Sequence, residues 1–464
     1  MRRFKWKLFY GFIAVFMAVS VIGQATFKET KNQRDTRMRW WRNARFGMFV
    51  HWGLYSGLAG TWKGKQVGKR GGMEWIQQRV KADTWEYAHE AAPLFRPKKG
   101  FADAWAELAK EAGCGYVVFT TKHHDGFDLF DSKYTTYDAK DWTGRDLCRE
   151  IVEALRKRNL KVGFYHSVID WHHPQYDYVK AKRLPYPLKG KPSPNGPRSH
   201  KIYLDYLHHQ VRELMSNYGK VDIIWWDYSL RGAEGEFWKA DALLKTVREL
   251  QPGIISNNRL YSMPPMHSKD QSDRLKMWNP EHGDFTTPEQ KIPSTGIPGV
   301  DWETCMTMNT TWGYSEHDHA WKSSDKLIKN LVDIVSKGGN FLLNIGPKGD
   351  GAVPEESIKI MKDIGRWMKV NGEAVRGTQA SPFKAPEWGV YTRKTGMIYA
   401  HIINWPAAGS ITIPLKRSEI TRVFLLADRN TQLSLKAEGD STVIALPSNP
   451  PDKPVSVVAV ALKN

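Results

Sequence analysis

Cysteine is scarce in this chain of 464 residues. Cys114, Cys148 and Cys305 are an odd number at long spacings, so the sequence offers neither a disulfide framework nor the spacing of a zinc site. The first two lie in helical or helix-to-strand segments and are expected to be small core residues. A glycine-rich phosphate loop is also missing after the first strand-like segment, which argues against nucleotide binding. We expect no cofactor and no metal.

A long apolar run is the second feature that the sequence lacks. A basic N-terminal head precedes an apolar stretch over residues 8–22, which is short for a membrane span of about 20 residues. The pattern is typical of a secretory signal peptide over residues 1–23, with the small residues Val21 and Gly23 before a cleavage point at Gln24. An uncleaved anchor is the alternative. We expect a secreted or periplasmic protein without stable membrane insertion, and no lipid anchor because no cysteine lies near the cut.

Apolar, branched runs in this chain end abruptly in polar residues. VDIIWWDYS, residues 221–229, ends its apolar run at Asp227, and such runs between helical patterns are typical of buried parallel strands. Taken alone, Asp227 would favour a simpler interpretation, a strand-end Asp that only caps the next helix. The arrangement recurs in five further runs, FGMFVHWG, YVVFTTKHHDGF, KVGFYHS, GIISNNR and NFLLNIGP, whose ends carry His51, His123, His124, Asp125, Tyr165, His166, Arg259 and Asn344.

Helical patterns such as FADAWAELAKEAG and DLCREIVEALRKRN separate these strands. Alternation over roughly 330 residues predicts an α/β fold, a (β/α)8-like TIM barrel, with polar residues at the strand ends where such barrels bind substrate. A doubly wound open sheet is the alternative. Past Gly377, short alternating runs broken by turn residues predict a C-terminal antiparallel β-sandwich. The predicted domains are therefore a barrel over residues 24–377 and a sandwich over residues 378–464.

Six motifs in one order carry a family resemblance. They are HWGLYS, KHHDGF, the Asp after WW, DFTTPEQ, WETCMTMNTTWGY and GGNFLLNIGPKGDG. Together they resemble glycoside hydrolase family 29, the retaining α-L-fucosidases, from about Arg39 to about Gly377. The resemblance implies an enzyme that removes terminal α-L-fucose from glycans or fucosylated polysaccharides by double displacement.

Glycoside hydrolysis requires two carboxyl groups, about 5–5.5 Å apart in retaining enzymes. By resemblance, Asp227 is the nucleophile. The acid/base candidates are Glu289 in TTPEQ and Glu303 in WETC. Glu289 is favoured because a carboxylate in a loop bounded by Pro and Thr can alternate between acid and base roles. Glu303 is suited to binding a sugar hydroxyl, or to being a buried acid tied to backbone or to Arg.

The resemblance also implies the residues that hold the sugar. His51, His123 and His124 are expected to hydrogen-bond fucose hydroxyls, because a neutral imidazole both donates and accepts. Further expected contacts are Glu74, Trp75, Tyr165, Arg259 and Glu303, with Trp225 or Phe49 as the apolar wall for the C5 methyl group. For each, simple packing or a strand-end hydrogen bond is the alternative. The histidines with Asp125 also suggest a metal cluster, but their spacing is not diagnostic.

Acidic residues are missing from one segment of this basic chain, whose formal net charge is +19. Residues 178–204, here called the basic segment, hold Lys180, Lys182, Arg183, Lys189, Lys191, Arg198 and Lys201. The segment follows the strand ending at Tyr165, so it is expected on the face that binds substrate. One interpretation is recruitment of an anionic, sulfated or sialylated glycan. The other is a solvated surface loop.

Three classes of function remain open on this sequence. An exported retaining α-L-fucosidase, acting on a fucosylated oligosaccharide or polysaccharide, explains both carboxylates. A catalytically inactive fucose-binding barrel would keep the histidines and tryptophans but lack a carboxylate. A metal-dependent hydrolase is the third class. No nucleic-acid partner is expected, because the predicted export and the barrel pattern argue against one.

Overall fold

The computed structural model describes residues 29–68, 72–176, 198–229, 232–261 and 282–463. The predicted signal peptide, and the basic segment up to residue 197, lie outside the described residues. No helix formed by the described residues combines the length and the apolar character needed to cross a membrane.

The strands and helices alternate through the first three quarters of the chain. The strands are β1 (Phe46–Val50), β2 (Thr61–Trp62), β3 (Lys65–Gln66), β4 (Tyr116–Lys122), β5 (Lys161–Ser167), β6 (Ile223–Asp227), β7 (Ile255–Ser256), β8 (Glu303–Thr307), β9 (Asn340–Ile345), β10 (Gly389–Lys394), β11 (Met397–Ile402), β12 (Ser410–Ile413), β13 (Ile420–Leu425), β14 (Asp428–Gln432), β15 (Leu435–Glu438), β16 (Ser441–Ala445) and β17 (Ser456–Leu462). The α-helices are α1 (Lys31–Ala44), α2 (Leu54–Leu58), α3 (Ile76–Val80), α4 (Thr84–Ala91), α5 (Phe101–Glu111), α6 (Ala139–Thr143), α7 (Leu147–Lys157), α8 (His200–Asn217), α9 (Ala240–Leu250), α10 (Ser324–Ser336) and α11 (Glu355–Asn371).

A parallel sheet of seven strands forms the centre of the described structure, in the order β7-β6-β5-β4-β1-β9-β8. Between its outer strands, parallel single bridges join Asn257 to Phe285 and Thr286 to Trp302. The short segment at Phe285 and Thr286 therefore takes the eighth position between β7 and β8. The sheet curls into a barrel instead of staying open, so the predicted fold is confirmed.

The side chains on the two faces of the barrel strands pack into two separate layers. Phe49, Val118, Ile223 and Leu342 point inward and form one apolar cluster, to which Trp225 also belongs. The intervening strand residues pack outward beneath the helices. This alternation follows from the period of two in an extended strand. The inward cluster forms the floor on which the candidate site lies.

Helix α1 closes the N-terminal end of the barrel and was not predicted from the sequence. Its Met38 and Trp41 join the inward cluster, and Trp41 lies 4.8 Å from Phe285 between ring centroids. On its polar side Arg37 pairs with Asp284 at 2.7 Å. Two buried apolar side chains and a buried ion pair hold α1 against the N-terminal ends of the strands.

The sequence FWKADALLKTVRELQP, residues 237–252, has a helical apolar pattern, but the α-helix begins later than that pattern. Residues 235–238 form a 3-10 turn, and Lys239 has φ 52° before α9 starts at Ala240. By contrast, α7 starts where its sequence predicts, because the Asp146 side chain accepts from the Arg149 N–H as a cap.

Two antiparallel sheets follow the barrel, as predicted. One has the order β10-β11-β17-β13-β14 and the other β12-β16-β15. Ile398 and Val460 from the first sheet share a core with Ile411 and Ile444 from the second. The indole N–H of Trp367 in α11 donates to the Val455 carbonyl at 2.8 Å, which ties this sandwich to the barrel.

Candidate functional site

A cavity of about 540 Å³ opens at the C-terminal ends of the barrel strands. Parallel strands present their carboxyl ends at one edge, so side chains distant in sequence meet there. Ten of the predicted site residues line it, namely His51, Glu74, Trp75, His123, His124, Tyr165, Trp225, Asp227, Arg259 and Glu289. The eleventh, Glu303, does not.

Asp227 ends β6 and holds its carboxylate in this cavity. Tyr165 Oη donates to Oδ2 at 2.7 Å, and Arg259 Nη1 donates to Oδ1 at 2.7 Å. Donors and positive charge of this kind stabilise the ionised carboxylate. The next residue, Tyr228, has φ 75°, a strained value for an aromatic residue that turns the chain sharply away after Asp227.

A single guanidinium joins the two candidate catalytic carboxylates. Besides its bond to Asp227, Arg259 donates from Nη2 to Glu289 Oε2 at 3.0 Å and from Nε to Thr287 Oγ1 at 2.7 Å. Its guanidinium carbon lies 4.4 Å from the centroid of the Trp225 ring. Burial alone would lower the pKa of Arg259, but the charges of Asp227 and Glu289 outweigh it and raise that pKa. The separation of the carboxylates is thus limited to the span of one guanidinium and two hydrogen bonds.

His51 presents a fixed ring to the cavity. Asn344 donates its amide N–H to the Trp312 carbonyl at 2.8 Å, so its carbonyl oxygen accepts from His51 Nδ1 at 2.8 Å. Burial lowers the pKa of His51 to about 4. The imidazole is therefore neutral at neutral pH, with Nδ1 protonated and a lone pair on Nε2 available to a hydroxyl donor.

The His124 ring is also oriented by a hydrogen-bond partner that must act as an acceptor. The Ser167 hydroxyl donates to the Ile169 carbonyl at 2.8 Å, so it must accept from His124 Nδ1 at 2.7 Å. The opposite ring nitrogen, Nε2, then faces Asp227 Oδ2 at 3.8 Å. His123 stacks on Tyr165 at 5.5 Å between centroids. Burial lowers the pKa of both histidines well below the ordinary range, so both rings are neutral.

The loop before α3 supplies the remaining predicted wall. Glu74 accepts from the Gly313 N–H at 3.1 Å, and burial raises the pKa of its carboxyl. Trp75 packs edge-on against His124 with ring centroids 5.1 Å apart. This loop therefore brings one buried acid and one aromatic face to the same cavity as Asp227.

Glu303 lies beneath the cavity floor with 0% of its surface exposed. It accepts hydrogen bonds from Tyr116 Oη and from Trp225 Nε1 at 3.2 Å. Burial raises the pKa of Glu303 to about 7. Because the Trp225 ring separates it from the cavity, Glu303 supports the floor, and its expected contact with a sugar hydroxyl is not retained.

A second layer holds the loops that carry the histidines. Lys122 is wholly buried and donates from Nζ to Gln210 Oε1 at 2.9 Å and to Asp170 Oδ2 at 3.3 Å. The backbone N–H of Trp171 donates to the His124 carbonyl at 2.8 Å. The buried ion pair thus joins the loop after β4 to the loop after β5, and breaking such a pair typically costs about 3–5 kcal/mol.

Eight further residues line the cavity and were not predicted as site residues: Gly72, Gln78, Arg79, Tyr228, Gln290, Cys305, Thr310 and Trp312. Trp312 lies within the motif WETCMTMNTTWGY, so the sequence did contain a signal for it. Cys305 Sγ lies 3.8 Å from Arg259 Nη2. The two meet because the Cys305 side chain points to the inward face of β8. Arg79 lies in a helix of five residues, where no periodic pattern indicates which side faces the cavity.

The histidines form no metal cluster. In the ranges that the structure describes, no three His, Cys, Asp or Glu side chains are grouped so that they could hold a metal ion. The rings of His51 and His123 instead lie edge to face, 5.7 Å apart between centroids. The arrangement offers hydroxyl-binding nitrogens around two carboxylates, which suits a polyhydroxylated ligand.

Comparison with known proteins gives one consistent result. A family model described as alpha-L-fucosidase matches residues 14–373. The chain is 29% identical to the tissue alpha-L-fucosidase of Mus musculus over 433 residues, covering 89% of this chain and 88% of that protein. It is 27% identical to the plasma alpha-L-fucosidase of Homo sapiens over 450 residues, covering 91% and 88%.

Solved structures give the same result for the fold. Alpha-L-fucosidase isoenzyme 1 from Paenibacillus thiaminolyticus superposes with a TM-score of 0.82 at 37% identity, covering 93% of this chain and 100% of that one. A GH29 alpha-L-fucosidase from Bacteroides thetaiotaomicron, a trapped covalent intermediate in complex with 2-fluoro-fucosyl fluoride, has a TM-score of 0.79 at 28% identity, covering 93% and 97%.

The buried position of Glu303 predicts a pH-dependent stability. Its pKa is about 7 in the fold against an ordinary 4.5, so between these values the folded chain holds a proton that the unfolded chain has released. The stabilisation that this proton gives the folded chain is fully present below pH 4.5 and is lost as the pH rises through 7. It contributes at most about 3 kcal/mol to the free energy of unfolding. Urea denaturation at pH 5 and pH 8 should therefore give a smaller loss of unfolding free energy for Glu303→Gln than for the wild type. The exposed control Glu356→Gln should match the wild type, and an unchanged pH slope in Glu303→Gln would contradict the assignment.

Proposed function

The chain belongs to the alpha-L-fucosidase family, glycoside hydrolase family 29, and on that premise we propose that it hydrolyses α-L-fucosides with retention, through a fucosyl ester on Asp227. The observation that carries the proposal is the pair of carboxylates, Asp227 and Glu289, held by one arginine at the strand ends. The covalent intermediate trapped in the relative from Bacteroides thetaiotaomicron supports the same chemical route. A sugar-binding barrel without activity is disfavoured, since neither carboxylate is missing.

In the first step, Asp227 attacks the anomeric carbon. Tyr165 and Arg259 hold its two oxygens in fixed positions, so little reorganisation is needed at the moment of attack. The departing oxygen requires a proton at the same time, which the second carboxyl supplies.

Glu289 suits the acid/base role because Arg259 holds it in the same cavity as Asp227, on the neighbouring nitrogen of one guanidinium. As the acid, Glu289 gives a proton to the departing oxygen while Asp227 attacks the anomeric carbon. Glu289 then serves as the base that activates water, which releases fucose with its original configuration.

The neutral imidazoles of His51, His123 and His124 are proposed to bind the fucose hydroxyls. His51 and His124 each have an Nε2 lone pair by virtue of their Asn344 and Ser167 partners, so both accept from a hydroxyl. Phe49, Trp225 and Trp312 offer apolar ring surfaces in the same cavity. These rings suit the C5 methyl group and the C–H faces of the sugar.

We also propose that the chain is exported and acts on anionic glycans. Export is supported by the basic head and short apolar stretch of the first 23 residues. An anionic substrate, such as a sulfated or sialylated glycan, is supported by the seven cations without an acidic neighbour in residues 178–204 and by the net charge of +19.

Replacing Asp227 tests the nucleophile. Asp227→Ala is expected to lower kcat on an aryl fucoside by about 10³-fold or more, because no covalent intermediate forms. Thermal denaturation should show a folded protein with a cooperative transition. Proton NMR of the wild-type reaction should show α-L-fucose as the first-formed anomer. First-formed β-L-fucose would contradict retention.

Replacing Glu289 and Glu303 in parallel tests the acid/base. Glu289→Ala should slow fucosides with poor leaving groups far more than aryl fucosides with good ones, which need little protonation. Added azide should restore its turnover and give an α-fucosyl azide, because azide attacks the ester on Asp227 from the same side as water does. Glu303→Ala is the matched control and should show no azide product. Azide rescue of the Glu303 variant alone would reverse the assignment.

Salt dependence tests the basic segment. The value of kcat/KM on an anionic fucosylated polymer should fall with added salt, since the Debye length shortens to about 8 Å at physiological ionic strength. The dependence should flatten when Lys182, Arg183, Lys189 and Lys191 are changed to Gln together. Neutral aryl fucosides should show no such dependence in either enzyme. Equal salt curves for charged and neutral substrates would show that the segment recruits nothing.

A further inference from the structure

Three cavities on the outer wall of the barrel share lining residues and form one continuous groove. The first has a volume of about 470 Å³ and the second about 510 Å³, and Arg376 lines both. The third, of about 440 Å³, shares Glu111 and Lys362 with the second. We call this continuous feature the basic groove. None of its lining residues lines the catalytic cavity.

The middle of the basic groove is strongly cationic. It is lined by five cationic side chains and one carboxylate, namely Lys110, Lys362, Arg366, Lys369, Arg376 and Glu111. Lys362, Arg366 and Lys369 are spaced four and three residues apart in α11, so they form a stripe on one helix face. Such a stripe carries a positive potential that an extended anion can follow.

Nearby carboxylates neutralise only part of the positive charge of this stripe. Glu111 lies 3.9 Å from Lys362, and Asp363 pairs with Arg366 within the same helix. Within the described ranges, Lys110 and Lys369 form no ion pair with a carboxylate. The local excess of positive charge is therefore available to a ligand from outside.

Gly365 lets the two helices beneath the groove approach each other closely. At Gly365 an added Cβ would lie 2.3 Å from the Glu111 carbonyl, so α5 and α11 approach as closely as backbones allow. Beside this contact, and among the described residues, Arg376 Nη2 donates only to the Gly113 carbonyl, at 3.2 Å. The Arg376 side chain is exposed, so its guanidinium is also accessible to an anion from outside the protein.

The two ends of the groove lie at opposite ends of the barrel. The lower end contains Trp40 and Lys161, beside the starts of β1 and β5, and the Lys161 ammonium lies 5.6 Å from the Trp40 ring centroid. The upper end contains Lys98 and Asp350, on the side where β9 ends. The groove therefore runs from the strand starts toward the rim that surrounds the catalytic cavity.

We propose that the basic groove binds an anionic polysaccharide, and so holds a fucosylated polymer on the enzyme at a distance from the catalytic cavity. This inference rests on the proposed function, because it takes the polymer to be a glycan whose fucose the same enzyme removes. A saccharide is favoured over other polyanions by the Trp40 ring at one end, since sugar C–H faces pack on aromatic rings. A second attachment point raises the effective concentration of chain ends at the cavity.

Direct binding to full-length enzyme tests the proposal. The probe is dextran sulfate, with neutral dextran and polyphosphate for comparison, measured by isothermal titration calorimetry at fixed ionic strength. The triple variant Lys362→Gln, Arg366→Gln, Lys369→Gln should bind dextran sulfate about tenfold more weakly than the wild type. The matched control Lys133→Gln, Lys326→Gln, Lys436→Gln removes the same charge from other exposed positions and should bind like the wild type.

Three outcomes would overturn the basic groove as a polysaccharide site. These are equal weakening in both triple variants, no weakening in either, or a larger loss for polyphosphate than for dextran sulfate. Hydrolysis of a neutral aryl fucoside should be unchanged in both variants, since neither touches the catalytic cavity. Failure of the wild type to hydrolyse that fucoside would instead refute the proposed function, and the binding result would be read separately.

Discussion

The shared ion pair of Arg259 with Asp227 and Glu289 is the constraint around which the site is arranged. A guanidinium that is 2% exposed requires compensating charge, and two carboxylates supply it. Trp225 beneath the guanidinium and Thr287 at its Nε fix the plane in which both carboxylates must lie. Moving any member leaves a buried charge without its partner, which is why geometry and charge state are linked here.

The barrel was predictable because its signals are strong and local. Apolar runs such as VDIIWWDYS match strands fully buried on both faces, and α7 begins at an aspartate cap that the sequence displays. Elements that depend on tertiary contacts were harder to predict from the sequence. Helix α1 is held by Asp284 and by the inward cluster, and neither contact is encoded in the pattern of α1 itself.

Site residues at strand ends were predictable for a similar reason. Asp227, His51 and Tyr165 follow apolar runs, and parallel strands bring such ends together. Glu303 differs because it starts β8 instead of ending it, which places its side chain beneath the floor. Arg79 reaches the cavity from a helix of five residues, where no periodic signal indicates its direction.

The most direct measurement is the identity of the residue that carries the sugar. The enzyme is incubated with 2-fluoro-fucosyl fluoride, which loses fluoride and leaves a slowly hydrolysed fluorofucosyl ester, and is then digested and mapped by mass spectrometry. The account predicts one adduct, on Asp227, whose formation slows when Arg259 is changed to Met. An adduct on Glu289 or Glu303, or inactivation with no covalent mass, would contradict it.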